Sequence, residues 1–457
     1  EEISKMSDIV TEAIESGALG FSTSRTILHR DVHGVYVPGT EASSEEMKSL
    51  AFAIDKAGEG TLEIVSDWLD KEIEMSWMRE YVEKSDCGLT VLQTSGDAVK
   101  TILFCEEQFL KGKNVRPQFP GRNVGMMFGL ESSLHPFIGH PSYREIANLP
   151  LSERVQIMKD PAFKEKLLNE KPNFASEIEK SMNDQGSTKS QEEIKEAANL
   201  GLKLISNYDT QFILGDPPNY EPGKEDSIAA LAESKGIPEL EVIYDEFLKN
   251  EGTNLVYACF TPYENHKLDF VERAYSLKSS VAGGSDGGAH CGLICDASMP
   301  TTNLSHWARD REAGKKIPIE LIVRKQTKDT AETYGLFDRG EIKTGMLADL
   351  NIIDFEKLNV THPKMVYDLP LGGRRLIQTS SGYLATVKSG EVVYEAGEAT
   401  GVLPGKLIRG KQTCEVKTEK ERVPFVDRTF RLMSVKALKL LWNFRKSPFK
   451  TTVVSDD

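Results

Sequence analysis

Apolar residues at Ile3, Met6, Ile9, Val10 and Ile14 recur at spacings of three and four, the period of an amphipathic helix. Gly17 ends that run, and Ala18-Leu19-Gly20-Phe21-Ser22 reads as a short buried strand. A Ser-Ser-Glu-Glu capping signal predicts a second helix over Ser44–Ala57. Leu62–Ser66 is the next strand, followed by a helix around Lys71–Lys84. Leu89–Gln93, a helix over about Ala98–Lys111, and Val115–Phe119 continue the alternation. Strands alternating with helices of about 10–15 residues predict βα units on a parallel sheet, which a barrel or an open sheet would satisfy.

The rhythm breaks over residues 131–250, which are mostly charged, helical in period and jointed by prolines such as Pro217, Pro218 and Pro222. They predict a helical insertion lying over the strand ends, with Ser187–Gln191 as a solvated stretch. The sheet pattern is expected to resume at Asn254–Ala258 and at Ser279–Ala282, with helices near Asn303–Arg311 and Ile319–Tyr334. From about Gly345 the texture turns to short strands, Asp349–Ile353, Gly382–Ser389 and Val392–Tyr394, joined by turns at Lys388–Glu391 and Ala396–Glu398. That is an all-β module appended to an α/β one. Three parts are therefore expected: 1–335, 336–410, and a tail over 411–457.

Composition narrows the function classes. With 457 residues and 39% apolar positions, the chain buries a large core and is not disordered. Seventy Asp and Glu against 56 Lys and Arg give a net charge of −14, which argues against a broad nucleic-acid surface. The tail departs from this, with eleven Lys and Arg against six Asp and Glu. There Leu432, Val435, Leu438, Leu440, Leu441 and Phe444 suggest a helix that docks on the protein's own surface rather than on anionic membrane. No apolar run approaches the roughly 18 residues that span a bilayer. The opening residues lack a secretion signal, and six scattered cysteines suit a reducing compartment, so a cytoplasmic location is expected.

The densest candidate for chemistry is Gly283-Gly284-Ser285-Asp286-Gly287-Gly288-Ala289-His290, directly after a predicted strand. Catalytic groups in parallel α/β folds gather at the C-terminal ends of strands. An Asp there, among glycines that admit a ligand to the backbone, suits metal coordination or proton transfer; the alternative is an Asp-capped turn. Cys291 and Cys295, without a second pair, read as buried thiols rather than zinc ligands. His29, His33, His135, His140 and His306 show no metal-pair spacing and read as polar core or surface residues. Arg25 follows a strand in a hydroxyl-rich loop, where its planar fork either binds a substrate carboxylate or pairs with Asp31.

Several stretches carry a resemblance. They are Gly17-Ala-Leu-Gly-Phe-Ser-Thr-Ser-Arg-Thr26, Leu134-His-Pro-Phe137, Tyr220-Glu-Pro-Gly-Lys-Glu-Asp-Ser-Ile-Ala229, Ser285-Asp-Gly-Gly-Ala-His290 through Asp296, Val323-Arg-Lys-Gln-Thr327, Gly345 to Ile353, and Thr400 to Gly405. Over residues 1 to about 410 the chain resembles the amidohydrolase superfamily, and within it the N-acyl-D-amino-acid deacylase (D-aminoacylase) group. The resemblance implies a metal-dependent-hydrolase TIM barrel and a small β-sandwich built from both chain ends. It implies hydrolysis of a linear, non-peptide C–N amide bond, with a small N-acyl amino acid as substrate and metal-activated water as nucleophile. Asp286 matches the family's catalytic Asp, which also binds metal.

Two departures shape the expectation. The family's His-x-His metal pair has no counterpart here and is expected upstream of Glu1, with the first barrel strands, so this chain alone is expected to be inactive. Where relatives carry metal-binding histidines at the ends of two middle strands, Gln93 and Gln118 stand here, and glutamine is a poor zinc ligand. At most one divalent ion, zinc by preference, is expected in the intact enzyme, with Arg25, His290, Gln93 and Gln118 facing the substrate. The rival readings are an amidohydrolase fold that has lost catalysis and serves as a structural or interaction protein, and a cyclic-amide hydrolase.

Overall fold

The computed structural model describes residues 1–27, 29, 35–68, 70–93, 99–174, 202–285, 287–288 and 290–414. Its first part alternates α1 (Glu2–Glu15), β1 (Gly20–Arg25), α2 (Ser44–Ala57), β2 (Thr61–Ser66), α3 (Lys71–Lys84), β3 (Gly88–Leu92), α4 (Val99–Leu110) and β4 (Val115–Pro120). Local chemistry sets these boundaries. The Ser43 hydroxyl accepts from the Glu46 N–H at 3.2 Å to cap α2, and Gly58 closes it in the left-handed region. Asp70 caps α3 by accepting from the Ile73 N–H at 3.0 Å.

The strands pair in parallel, in the order β1-β2-β3-β4. Their register aligns Leu62 with Leu89 and Leu89 with Val115. That apolar face packs against Ile14, Met47, Ile54, Met78 and Tyr81 of the helices, a burial that dominates the stability of this layer. Alternation sends Ser22, Glu63, Thr90 and Gln118 to the opposite face. After Pro120 the chain leaves this sheet. β5 (Val124–Phe128), β6 (Gln211–Ile213) and β7 (Val256–Thr261) form a separate antiparallel sheet in the order β5-β7-β6. β8 (Val281–Gly283) then returns to pair with β4, aligning Val281 with Gln118.

Three sequence expectations are corrected here. The run at Asn254–Ala258 belongs to β7, which pairs antiparallel with β5 and β6 and not with the parallel sheet. The insertion also contains the strand β6 among its helices. Its own core joins Phe128, Phe137, Tyr143, Tyr244, Phe247 and Val256. The expected helix over Ile319–Tyr334 is two, Ile319–Gln326 and Lys328–Thr333, because Thr327 between them leaves helical geometry at φ −121°, ψ −84°. The segment Asn303–Asp310 is helical but with π-type turns. The Ser187–Gln191 stretch, His33 and the helix expected in the tail lie outside the described residues.

The β-module contains β9 (Leu350–Ile353), β10 (Asn359–Val360), β11 (Lys364–Leu369), β12 (Gly373–Ile377), β13 (Ser380–Ser381), β14 (Tyr383–Lys388), β15 (Glu391–Glu395) and β16 (Glu398–Ala399). Four of them make an antiparallel sheet, β16-β15-β14-β9, and β10-β13 and β11-β12 make two short ladders. The turn between β14 and β15 places Ser389 at φ 54° and Gly390 at φ 85°, the pair of positive angles that twists a tight hairpin correctly. Val360 and Leu376 share one core with Tyr257, Tyr275 and Trp307, so the module is packed against the α/β part. No described helix is long and apolar enough to cross a membrane.

Candidate functional site

The C-terminal ends of the parallel strands converge on Arg25, Asp67, Gln93, Pro120 and Gly283. Non-glycine residues in the left-handed region stand just beyond two of them, Trp68 at φ 57° after β2 and His290 at φ 47° in the loop after β8. Each such residue costs about 1–3 kcal/mol, a strain that persists only where the surroundings over-determine it and that gathers at functional sites.

Asp286 lies outside the described residues, but the loop that carries it is anchored on its far side. The Met127 N–H donates to the Leu293 carbonyl at 2.7 Å, and the Leu376 N–H donates to the Cys291 carbonyl at 2.7 Å. The Ser133 N–H donates to the Gly292 carbonyl at 3.0 Å. Loop residues 291–293 are thus held between β5, Ser133 of the insertion and β12 of the β-module. Arg122, fully buried, extends the anchor: it pairs with Asp296 at 3.1 Å, donates to the Cys295 carbonyl at 2.9 Å and stacks 3.7 Å over the Tyr220 ring. Cys295 is a buried thiol whose pKa burial pushes up to about 11, while Cys291 is half-buried with its Sγ 3.8 Å from the Arg374 carbonyl.

Gln93 and Gln118 are neighbours. The Gln93 backbone N–H donates to the Gln118 carbonyl at 2.8 Å. The Gln93 carboxamide is 2% exposed, and neither its oxygen nor its nitrogen has a hydrogen-bond partner among the described residues. Gln118 differs. Its Nε2 donates to the Thr90 hydroxyl at 2.7 Å and to the Tyr334 hydroxyl at 3.3 Å. Ser22, Glu63, Gln118 and Tyr334 line a cavity of about 400 Å³ on the sheet face turned away from α1–α4. Tyr334 keeps its proton: burial, then the nearby Glu63 charge, raises its pKa. A larger cavity, about 620 Å³, opens among Gly60, Gly88 and Asn114 at the N-terminal ends of the strands. The two cavities share Leu19, Thr61 and Tyr334, and ligands of parallel sheets bind at the C-terminal strand ends, so we place the candidate site at the termini Gln93, Pro120 and Gly283, with Gln118 two residues short of the end of β4.

Arg25 is not with this group. It points to the helix side of β1, where its Nε and Nη2 contact the Glu74 carboxylate at 2.7 and 2.6 Å. Its Nη1 donates to the carbonyls of Gly39 at 2.9 Å and Ala42 at 3.0 Å. Glu74 in turn accepts from the Trp77 indole at 3.1 Å. The carboxylate Arg25 holds is therefore Glu74's, not a substrate's, and the expected alternative partner Asp31 lies outside the described residues. His290 is exposed and sits on the anchored loop; of the expected substrate-facing residues only Gln118 is in the cavity lining.

Other histidines fall in the insertion and the core. His135 is buried, and burial, followed by the charges of Arg154 and the neighbouring rings and cations, depresses its pKa to about 3. His140 is 1% exposed with neither ring nitrogen partnered among the described residues, and burial lowers its pKa too. His306 contacts Glu221 at 2.8 Å, and Arg311 grips the same carboxylate at 2.9 and 3.0 Å. Burial alone would raise Glu221, but those hydrogen bonds and charges outweigh it and hold its pKa at about 2.

The donor chemistry tests the expected ion. Among the described residues no group of three or more His, Cys, Asp or Glu could hold a metal. The strand ends offer a partnerless neutral amide at Gln93 and an amide already committed to two hydroxyls at Gln118. Neutral carboxamides do not supply the charge of a zinc site. The described residues therefore do not fit a divalent ion.

The profile of the amidohydrolase family matches residues 1–394. The chain belongs to the amidohydrolase family. Solved structures similar to this amidohydrolase are of D-aminoacylase. One, concerned with the role of its binuclear metal center, is 17% identical with a TM-score of 0.46, over 90% of this chain and 66% of that one. Another, described as defining a novel subset of amidohydrolases, is 17% identical with a TM-score of 0.44, over 90% and 66%. The amidohydrolase chain thus spans just under two-thirds of their length. No curated protein matches it.

Proposed function

We propose that the protein hydrolyses a linear, non-peptide amide C–N bond, with N-acyl amino acids, and the D series by its resemblance, as the substrate class. The observation that carries this reading is the family match across residues 1–394. Asp286 stands as general acid and base: its carboxylate takes a proton from the attacking water and passes it to the leaving amine. Gln93, Gln118 and His290 face the substrate. Members of this family work with a divalent ion, and zinc is the ion expected here. The described donors do not enclose one, so no step is assigned to it.

The sheet supports a corollary. β1 and β8 are the outer strands of the parallel sheet among the described residues. Those edges would accept the further strands and the His-x-His pair that the resemblance expects ahead of residue 1. This chain alone should then hold zinc weakly and release amine from N-acetyl-D-amino acids at the background rate, whereas the chain extended by its upstream reading frame should release it measurably. An extended chain that carries zinc stoichiometrically and still releases no amine would favour the second reading, a fold without catalysis. The carboxamide of Gln93, without a partner among the described residues, is the observation that speaks for that alternative.

A further inference from the structure

Gln118 is a glutamine with one end occupied. Its Nε2 donates to Thr90 at 2.7 Å and Tyr334 at 3.3 Å, and both acceptors are fixed: Thr90 is fully buried within β3, and Tyr334 follows the helix Lys328–Thr333. The carbonyl end faces β8. A Cβ built on Gly283 would stand 3.0 Å from the Gln118 Oε1, so glycine at that position leaves room for the oxygen beside the strand that leads to residue 286. Gln118 itself is only partly buried and stands two residues before the end of β4, so its oxygen lies beside the C-terminal end of β8.

We propose that Gln118 is a preset hydrogen-bond acceptor for the N–H of a secondary amide, that Tyr334 and Thr90 are the residues that set its orientation, and that the site therefore selects amides bearing an N–H over N-alkylated ones. The physical basis is an asymmetry. A carboxamide whose nitrogen is already satisfied offers a ligand only its oxygen, which accepts and cannot donate. A ligand without an N–H leaves that oxygen desolvated and unpaired, and sites built on a hydrogen bond reject analogues that lack it. A neutral amide oxygen is a weak zinc ligand but an ordinary acceptor, so a carboxamide at this strand favours substrate recognition over metal coordination. This deepens the proposed function and rests on it for the amide substrate class.

The test is titration calorimetry of the full chain with N-acetylglycine and its N-methyl counterpart, N-acetylsarcosine. The wild-type protein should bind the first about five- to tenfold more tightly, the ratio that one neutral hydrogen bond supplies. Gln118→Leu should bring the two affinities within about twofold, and Tyr334→Phe, which keeps the ring and frees the amide to rotate, should fall between. Thermal unfolding identifies a variant that fails to fold, and Gly283→Ala, which crowds the oxygen without touching its holders, then supplies the same readout. Equal affinities in the wild type, or an undiminished ratio in the folded Gln118→Leu protein, would overturn the inference; binding of neither ligand would overturn it as well. Discrimination without amine release from the upstream-extended chain would leave the acceptor standing and remove the hydrolytic reading, and release without discrimination would do the reverse.

Discussion

Arg25 donates to Glu74, Gly39 and Ala42, and its side chain and that of Glu74 are 10% and 8% exposed. Removing one member of such a pair leaves a charge buried and unpaired, at a cost of about 3–5 kcal/mol. Arg25→Gln should lower the urea midpoint accordingly and leave ligand affinity in the folded protein unchanged. A variant of normal stability with weakened binding would return Arg25 to the substrate. The sequence made Arg25 conspicuous, because it sits at a strand end among hydroxyls, but its partner lies 49 residues away on α3. Nothing local marks Glu74 as that partner. The same holds for Tyr334, which reaches Gln118 across 216 residues. Side-chain meetings of this range depend on how the helices settle on the sheet, which periodicity does not encode.

At the level of elements, α2 and α3 match their sequence reading at both ends because each boundary is set by an adjacent side chain, Ser43 or Asp70 at the start. β7 was legible as a strand but not as an antiparallel one, since a short apolar run looks alike in either sheet. The insertion it helps to carry has a testable acid sensitivity. His135 is neutral in the folded protein with a pKa near 3, whereas in the unfolded chain it titrates at its ordinary 6.5. Below 6.5 the unfolded state binds the extra proton, so the stability is complete above that pH and is lost as pH falls toward 3. Between pH 6.5 and about 5 this amounts to roughly 2 kcal/mol. Urea titrations should show that loss for the wild type and a smaller one for His135→Phe. Glu221 acts in the same direction lower down, between 4.5 and about 2.

Across the whole molecule, Leu376 and Val360 of the β-module lie in one core with Trp307, Tyr257 and Tyr275. Leu376→Ala should cost about 2–5 kcal/mol and lower the melting temperature of both parts together in calorimetry; an early separate transition of the module would show that the shared core is not coupling them. The five-stranded parallel sheet, with its anchored loop after β8, is the framework on which the proposed role of Asp286, picked out by its glycine-rich run, rests. The most direct measurement is steady-state amine release from an N-acetyl amino acid by the upstream-extended protein and its Asp286→Asn variant, with metal content determined on both. Asn keeps the size and one oxygen of the side chain but cannot take the proton. The expected result is a fall in kcat of roughly 10²–10⁴, the share of general acid–base catalysis, with KM little changed. Undiminished turnover in the Asn variant would contradict the account and leave Asp286 as the cap of a glycine turn.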